Sequence, residues 1–151
     1  SKEKCNALTG NAKDICVKEA KGHEEVAEAE LQAKYKPSAK ADYKARVVRA
    51  DADYAVAKEK CDDLNGNAKD VCVKDAKAAH VTAKENAKVA EVKAQPADTP
   101  AAKGAAVAEA RKDAAAEKNE ANYKAAKERC DTLQGDLKSK CVDDAKRMYG
   151  Q

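Results

Sequence analysis

Bulky apolar residues are scarce in this chain. It has no phenylalanine and no tryptophan, one methionine and five tyrosines, and about half of its 43% apolar residues are alanine. Burying an alanine methyl removes little surface from water, so these absences exclude a conventional thick core. Alanine, lysine and glutamate have high helix propensity, and helix should dominate. Disorder is the competing interpretation at this charge content, but the periodic apolar positions and the turn signals oppose it.

An excess of one charge and long apolar runs are also missing. The 30 basic and 27 acidic residues nearly cancel, for a net charge of +3, and the two signs are interleaved. We therefore expect no nucleic-acid partner. No run approaches the ~20 apolar residues of a transmembrane helix. G-x-G-x-x-G, P-loop, H-E-x-x-H and G-x-S-x-G motifs do not occur, so we expect no enzyme activity and no cofactor.

A threefold repeat is the most informative feature that is present. Its copies are "CNALTGNAKDICVKEAK" from Cys5, "CDDLNGNAKDVCVKDAK" from Cys61 and "CDTLQGDLKSKCVDDAK" from Cys130. In each copy a glycine suits the left-handed position after a helix end, and the next residue is a good helix N-cap. Each copy is therefore predicted to be helix, tight turn, helix. The turn glycines are Gly10, Gly66 and Gly135, and the N-caps are Asn11, Asn67 and Asp136.

Each copy also holds two cysteines separated by ten residues. Facing positions just inside an αα-turn can meet the ~5.5 Å Cα separation that a disulfide needs. Six cysteines allow many pairings, but a pair repeated in every unit favours Cys5–Cys16, Cys61–Cys72 and Cys130–Cys141. Such disulfides indicate an oxidising compartment. We expect a periplasmic or secreted protein, and the start at Ser1 fits a chain whose signal peptide was removed.

Metal binding and redox chemistry are the alternatives for these cysteines. Zinc sites use C-x(2–4)-C spacing, and here the gap is ten. His23 and His80 follow Cys16 and Cys72 by seven and eight residues, which is too far along a helix to share one tetrahedral site within a unit. A C-x-x-C redox motif is missing. We therefore predict no metal site and no reactive dithiol.

The helix faces and the prolines lead to a prediction of the fold. Helices are expected at 2–9, 12–35, 39–65, 68–94, 101–134 and 137–149, because Pro37, Pro96 and Pro100 mark turns or kinks. We predict an all-α fold in which disulfide-stapled αα-hairpins form an up-and-down bundle of four long helices plus two short terminal helices. All glycine turns would then lie at one end and both proline turns at the other. If Pro37 only kinks the chain, an elongated rod replaces the bundle.

The same periodicity predicts which side chains point inward. One stripe should be Cys16, Ala20, His23, Ala27 and Leu31, and its counterpart should be Cys72, Ala76, Ala79, Ala83 and Ala90. We expect one helical domain over 1–151, with hairpin units near 1–36, 38–95 and 101–151 and a linker at 95–100.

The "C-x-x-L-x-G-x-A-K-D-x-C" hairpin, at Cys5–Cys16 and Cys61–Cys72, resembles that of alanine- and lysine-rich proteins of the Gram-negative envelope. The third unit departs from it with "GDLKSKC". In composition the chain is also similar to the long helix of TolA-type envelope proteins. The resemblance implies a periplasmic location more than an activity.

These observations favour a non-enzymatic structural or stress-protective protein of the bacterial periplasm. It would be a rigid scaffold that binds other envelope proteins or associates with itself. One alternative is a module for metal ions or small ligands that uses acidic faces with His23 and His80. Another is a self-assembling filament or a membrane-surface element, although its helices lack the bulky residues of interfacial helices.

Overall fold

A computed structural model describes residues 2–151, which form an all-α protein as predicted. A short 3-10 helix precedes α1, and a second one follows α4. Within the described range there is no strand, and no helix is long and apolar enough to cross a membrane. The helices are the 3-10 helix Lys2–Ala7, α1 Gly10–Tyr35, α2 Ala39–Cys61, α3 Gly66–Ala94, α4 Pro100–Arg129, the 3-10 helix Cys130–Thr132 and α5 Gly135–Tyr149.

The proline segments reverse the chain, and their helix starts are capped by side chains. Ser38 Oγ accepts a hydrogen bond from the Ala41 amide at 2.9 Å, and Thr99 Oγ1 accepts one from the Ala102 amide at 3.0 Å. Such caps satisfy one of the unpaired amides of a first helical turn. Pro37 lies between α1 and α2, which pack together over their length. The elongated kinked rod is therefore excluded.

The long helices run up and down as an open row. Each packs on the helix before and after it in sequence, α1 on α2, α2 on α3 and α3 on α4, and the shorter α5 packs on α4. Within residues 2–151 no extensive contact joins α1 to α4. Neighbours are antiparallel, so that Asn11 lies near Glu59 while Glu30 lies near Arg49. All three disulfide turns therefore lie at one end and both proline turns at the other.

The interior consists of small side chains. Gly22 marks the closest approach of α1 to α2, because a Cβ atom added to it would lie 2.9 Å from the Ala52 Cβ. All five leucines of the chain are at least 36% exposed. This reverses the usual partition, in which leucine is among the most buried residues. The buried apolar residues are Cys5, Ala29, Ala50, Ala52, Cys61, Ala78, Ala87, Ala114, Ala125, Cys130 and Ala145.

The predicted inward stripes are wrong in part. His23, Ala27 and Leu31 are exposed, as are Ala79 and Ala83 on α3. An alanine-rich helix has small apolar residues on several sides, so periodicity does not single out the packed side. The side of α1 that meets α2 runs instead through its two buried residues, Gly22 and Ala29.

Candidate functional site

Three disulfides hold the glycine-turn end of the row together. They join the first 3-10 helix to α1, α2 to α3, and the second 3-10 helix to α5. The pairs are those that the repeat favours, and no cysteine of the chain is free. The first cysteine of each pair is at most 1% exposed. The Cα separations are 5.5 Å for Cys5–Cys16, 5.6 Å for Cys61–Cys72 and 5.7 Å for Cys130–Cys141.

The turn glycines adopt the left-handed conformation that the sequence pattern predicts for them. Their φ angles are +60° at Gly10, +55° at Gly66 and +59° at Gly135. Each one is the first residue of the following helix, however, and does not directly follow the end of the preceding one. A Cβ added at any of them would meet nothing within 4 Å, so backbone conformation and not crowding requires glycine there.

The predicted N-caps are wrong by two residues. The N-cap positions are Thr9, Asn65 and Gln134, all with extended backbone and none with a side-chain cap. The helices start at the glycines, which places Asn11, Asn67 and Asp136 inside the first turn. Asn11 has a different task, because its Nδ2 donates to the Glu59 carbonyl of α2 at 2.9 Å. This hydrogen bond links the first turn of α1 to the last turn of α2, next to Cys61.

The repeat leucines are displayed at this stapled end. The amides of Leu8, Leu64 and Leu133 each donate to the carbonyl of the cysteine three residues earlier, at 3.0 Å in all three cases. Their exposed fractions are 41%, 41% and 36%. We call these three residues the leucine row. A repeated backbone arrangement therefore presents the same apolar side chain three times on the most cross-linked part of the molecule.

A second candidate site lies between α2 and α3 and consists of His80, Asp51 and Tyr54, here called the His80 cluster. His80 Nε2 lies 2.7 Å from Asp51 Oδ1. The imidazole stacks on the Tyr54 ring, with centroids 4.5 Å apart and planes 17° apart. Ammonium groups of Lys58 and Lys77 each lie 5.6 Å from the Tyr54 centroid, a distance at which cations are attracted to aromatic rings.

The His80 ring is enclosed between α2 and α3. The His80 side chain is 10% exposed, and its Nδ1 is buried without a hydrogen-bond partner among residues 2–151. A carboxylate only accepts hydrogen bonds, so in the neutral ring Nε2 carries the hydrogen and Nδ1 keeps a lone pair. One nitrogen is thus engaged by Asp51 and the other is enclosed. Neither is placed to exchange a proton with a substrate.

The spacing of Tyr54 and His80 from the cysteines is a sequence signal for this cluster. Tyr54 lies seven residues before Cys61, and His80 lies eight residues after Cys72. In an antiparallel hairpin, residues equally distant from the staple face each other. The third unit has Tyr123 and Tyr149 at corresponding distances from its own cysteines, so a tyrosine stands there in place of the histidine.

The remaining ionisable groups form no metal centre. His23 is exposed on α1, and between residues 2 and 151 no group of three or more His, Cys, Asp or Glu side chains could hold a metal ion. The one buried acid, Glu85, accepts a hydrogen bond from Lys88 Nζ at 2.8 Å. This hydrogen bond raises the pKa of Lys88 above its ordinary value. The pair compensates a buried charge on α3 and is structural.

Comparison of the chain with protein-family models, with curated proteins and with solved structures finds no match.

Proposed function

We propose that this protein is a non-enzymatic scaffold of the bacterial periplasm that binds other envelope proteins through the leucine row. The observation that carries the proposal is the exposure of Leu8, Leu64 and Leu133 at 36–41% in three equivalent positions. All three lie in the disulfide turns at the same end of the row, so that end presents repeated apolar surface to a partner. The staples hold the three side chains on a rigid frame, which lowers the entropy lost on binding.

Three disulfides support an oxidising compartment as the location. The periplasm, as opposed to the space outside the cell, is supported by the resemblance of the first two hairpins to Gram-negative envelope proteins. In that compartment thiols stay oxidised, so the stapled end keeps its shape.

The leucine row gives the partner a modest share of its binding energy. Covering the exposed part of each leucine contributes about 1–2 kcal/mol. The three together contribute about 3–6 kcal/mol, against several kcal/mol lost on association. The leucines alone therefore do not sustain binding, and polar contacts around them must supply most of the affinity as well as the specificity.

Affinity capture from a Gram-negative periplasmic extract tests the scaffold function. The bait is the oxidised protein, and the test variant carries Leu8→Ser, Leu64→Ser and Leu133→Ser. A matched control is Leu137→Ser, which changes a leucine on α5 that is 67% exposed and outside the row. Proteins captured by the wild type should be lost with the triple variant and kept with the control. Capture that survives the triple variant, or no specific capture at all, contradicts the proposal.

The same exposed leucines also favour a stress-protective role, in which they hold unfolded clients. Light scattering of a heat-unfolded envelope protein, with and without the wild type and the triple variant, separates the two functions. A scaffold leaves aggregation unchanged. A protective protein suppresses it, and the triple variant suppresses it less.

A further inference from the structure

A groove runs along α1 and α2 at the proline-turn half of the molecule, far from the leucine row. Its upper part, about 760 Å³, is lined by Leu31 and Tyr35 and by three lysines, Lys36, Lys40 and Lys44. Leu31 is 68% exposed and Tyr35 is 82% exposed. The upper part therefore presents exposed apolar side chains together with positive charge only.

The lower part of the groove has the opposite charge. It encloses about 260 Å³ and is lined by Glu25, Glu28 and Asp51. The two parts are continuous, because Gln32 and Lys44 line both of them. The α1–α2 groove therefore has three lysines towards the proline turn and three carboxylates towards the middle of the row.

The lysines of the upper part have no acidic partner within the described chain. Eleven ion pairs occur among residues 2–151, and none involves Lys36, Lys40 or Lys44. Glu28 has no ion pair among these residues either, and Glu25 meets Lys21 only at 3.7 Å. These side chains can therefore pair with charges on a second molecule.

We propose that a second copy of this chain binds in the α1–α2 groove and forms a twofold-symmetric dimer. A twofold axis near Gln32 and Lys44 makes the second copy antiparallel to the first. Lys36 and Lys40 of each copy then face the carboxylate part of the other, whereas Leu31, Gln32 and Lys44 of the two copies meet near the axis. In such an interface one patch serves both subunits, so it must be complementary to itself.

Self-complementarity distinguishes a second copy from other occupants. An anionic amphiphile suits the lysine part but is repelled by the carboxylates, and a cationic ligand suits only the carboxylates. An occupant must carry both signs in the reverse order, and symmetry supplies this from the chain itself.

The size of the groove predicts a weak dimer. Twelve helical residues span about 18 Å, and two helices side by side are about 20 Å wide, for a footprint of roughly 360 Å² per copy. A standard interface buries about 800 Å² per partner. We therefore expect a dissociation constant in the range of ~0.1–1 mM that rises with salt, as screening weakens exposed charge pairs.

Sedimentation velocity of the oxidised protein, from ~10 μM to ~2 mM at low salt, tests this proposal. One variant carries Lys36→Glu, Lys40→Glu and Lys44→Glu, and a second carries Glu25→Lys and Glu28→Lys. Each alone should be monomeric, with the dissociation constant raised at least ~10-fold, because like charges now face each other. An equimolar mixture of the two should restore the dimer, since one groove is then wholly acidic and the other carries five lysines with Asp51 as its one remaining carboxylate.

A matched control reverses three lysines that are exposed and outside the groove, Lys74, Lys112 and Lys127. It should dimerise like the wild type. A wild type that stays monomeric throughout, a dimer that the groove variants leave intact, or a mixture that does not restore association would each overturn the proposal. Because the leucine row lies at the other end, the groove variants should still capture the partners of the scaffold.

Discussion

The double substitution Cys61→Ala and Cys72→Ala removes the disulfide cross-link between α2 and α3, which then stay joined only by the backbone of the turn. The bond closes a loop with a sequence separation of 11 residues. Closing a loop of about 12 residues lowers the entropy of the unfolded chain and stabilises the fold by about 3 kcal/mol. In a domain of this size that corresponds to about 6–12 °C in Tm. An interior built from alanine offers little else to compensate for the loss.

The first disulfide provides an internal comparison. Cys5–Cys16 has the same sequence separation of 11, so the loop-closure argument alone predicts the same loss. It fastens only the six-residue 3-10 helix, which contacts α1 and no other helix extensively. When the 3-10 helix detaches, α1 to α4 remain packed. The loss of stability is therefore limited to the free energy with which the 3-10 helix docks on α1. We expect Cys5→Ala with Cys16→Ala to lower Tm by less than half as much.

Thermal melts followed by circular dichroism at 222 nm, without reductant, measure both effects. Intact mass with and without reductant first establishes that each variant keeps its two remaining disulfides. Equal Tm shifts for the two variants would show that the first 3-10 helix is as integral as the central hairpin. No shift for the central variant would refute the view that the staples stabilise this core.

Three further predictions can be checked by urea titration. Gly22→Ala should destabilise the fold by about 1–3 kcal/mol, because the new Cβ meets Ala52 at 2.9 Å. Gly104→Ala, a helical site with nothing within 4 Å, should stabilise it by about 0.5–1 kcal/mol, and stabilisation by both would argue against the close approach of α1 to α2. Asp51→Ala should cost about 0.5–1.5 kcal/mol because it removes the hydrogen bond to His80 Nε2, and no measurable cost would mean that water replaces the carboxylate.

Local signals predicted the parts of this fold that depend on local chemistry. The helix ends at 35, 39 and 94 coincide with the expected ones because prolines and the Ser38 cap act within a few residues. The glycine turns were less well placed. A left-handed glycine fits both the end of one helix and the start of the next, and only the backbone shows that Gly66 starts α3. The N-cap assignment at Asn67 failed for the same reason.

Contacts between side chains of neighbouring helices can be predicted only when the register of the two helices is known. The contact of His80 with Tyr54 depends on which turns of α2 and α3 lie side by side, which the stapled hairpin fixes. The stripe through His23 failed because alanines surround each helix and no bulky side chain marks the buried side. The groove of Leu31 and Tyr35 could not be foreseen, because it requires that α1 has a long neighbour on one flank only.

In the open row, the last helix does not have to pack against the first. A closed bundle admits one number of helices, because the last must fit against the first, whereas α1 and α4 share no extensive contact among the residues described here. The energy of such an array is close to a sum of nearest-neighbour terms. The repeat starts 56 and then 69 residues apart, so hairpins of unequal length already stand side by side. The number of hairpins therefore sets the width of the row. Insertion or deletion of one hairpin can change this width without redesign of the other hairpins.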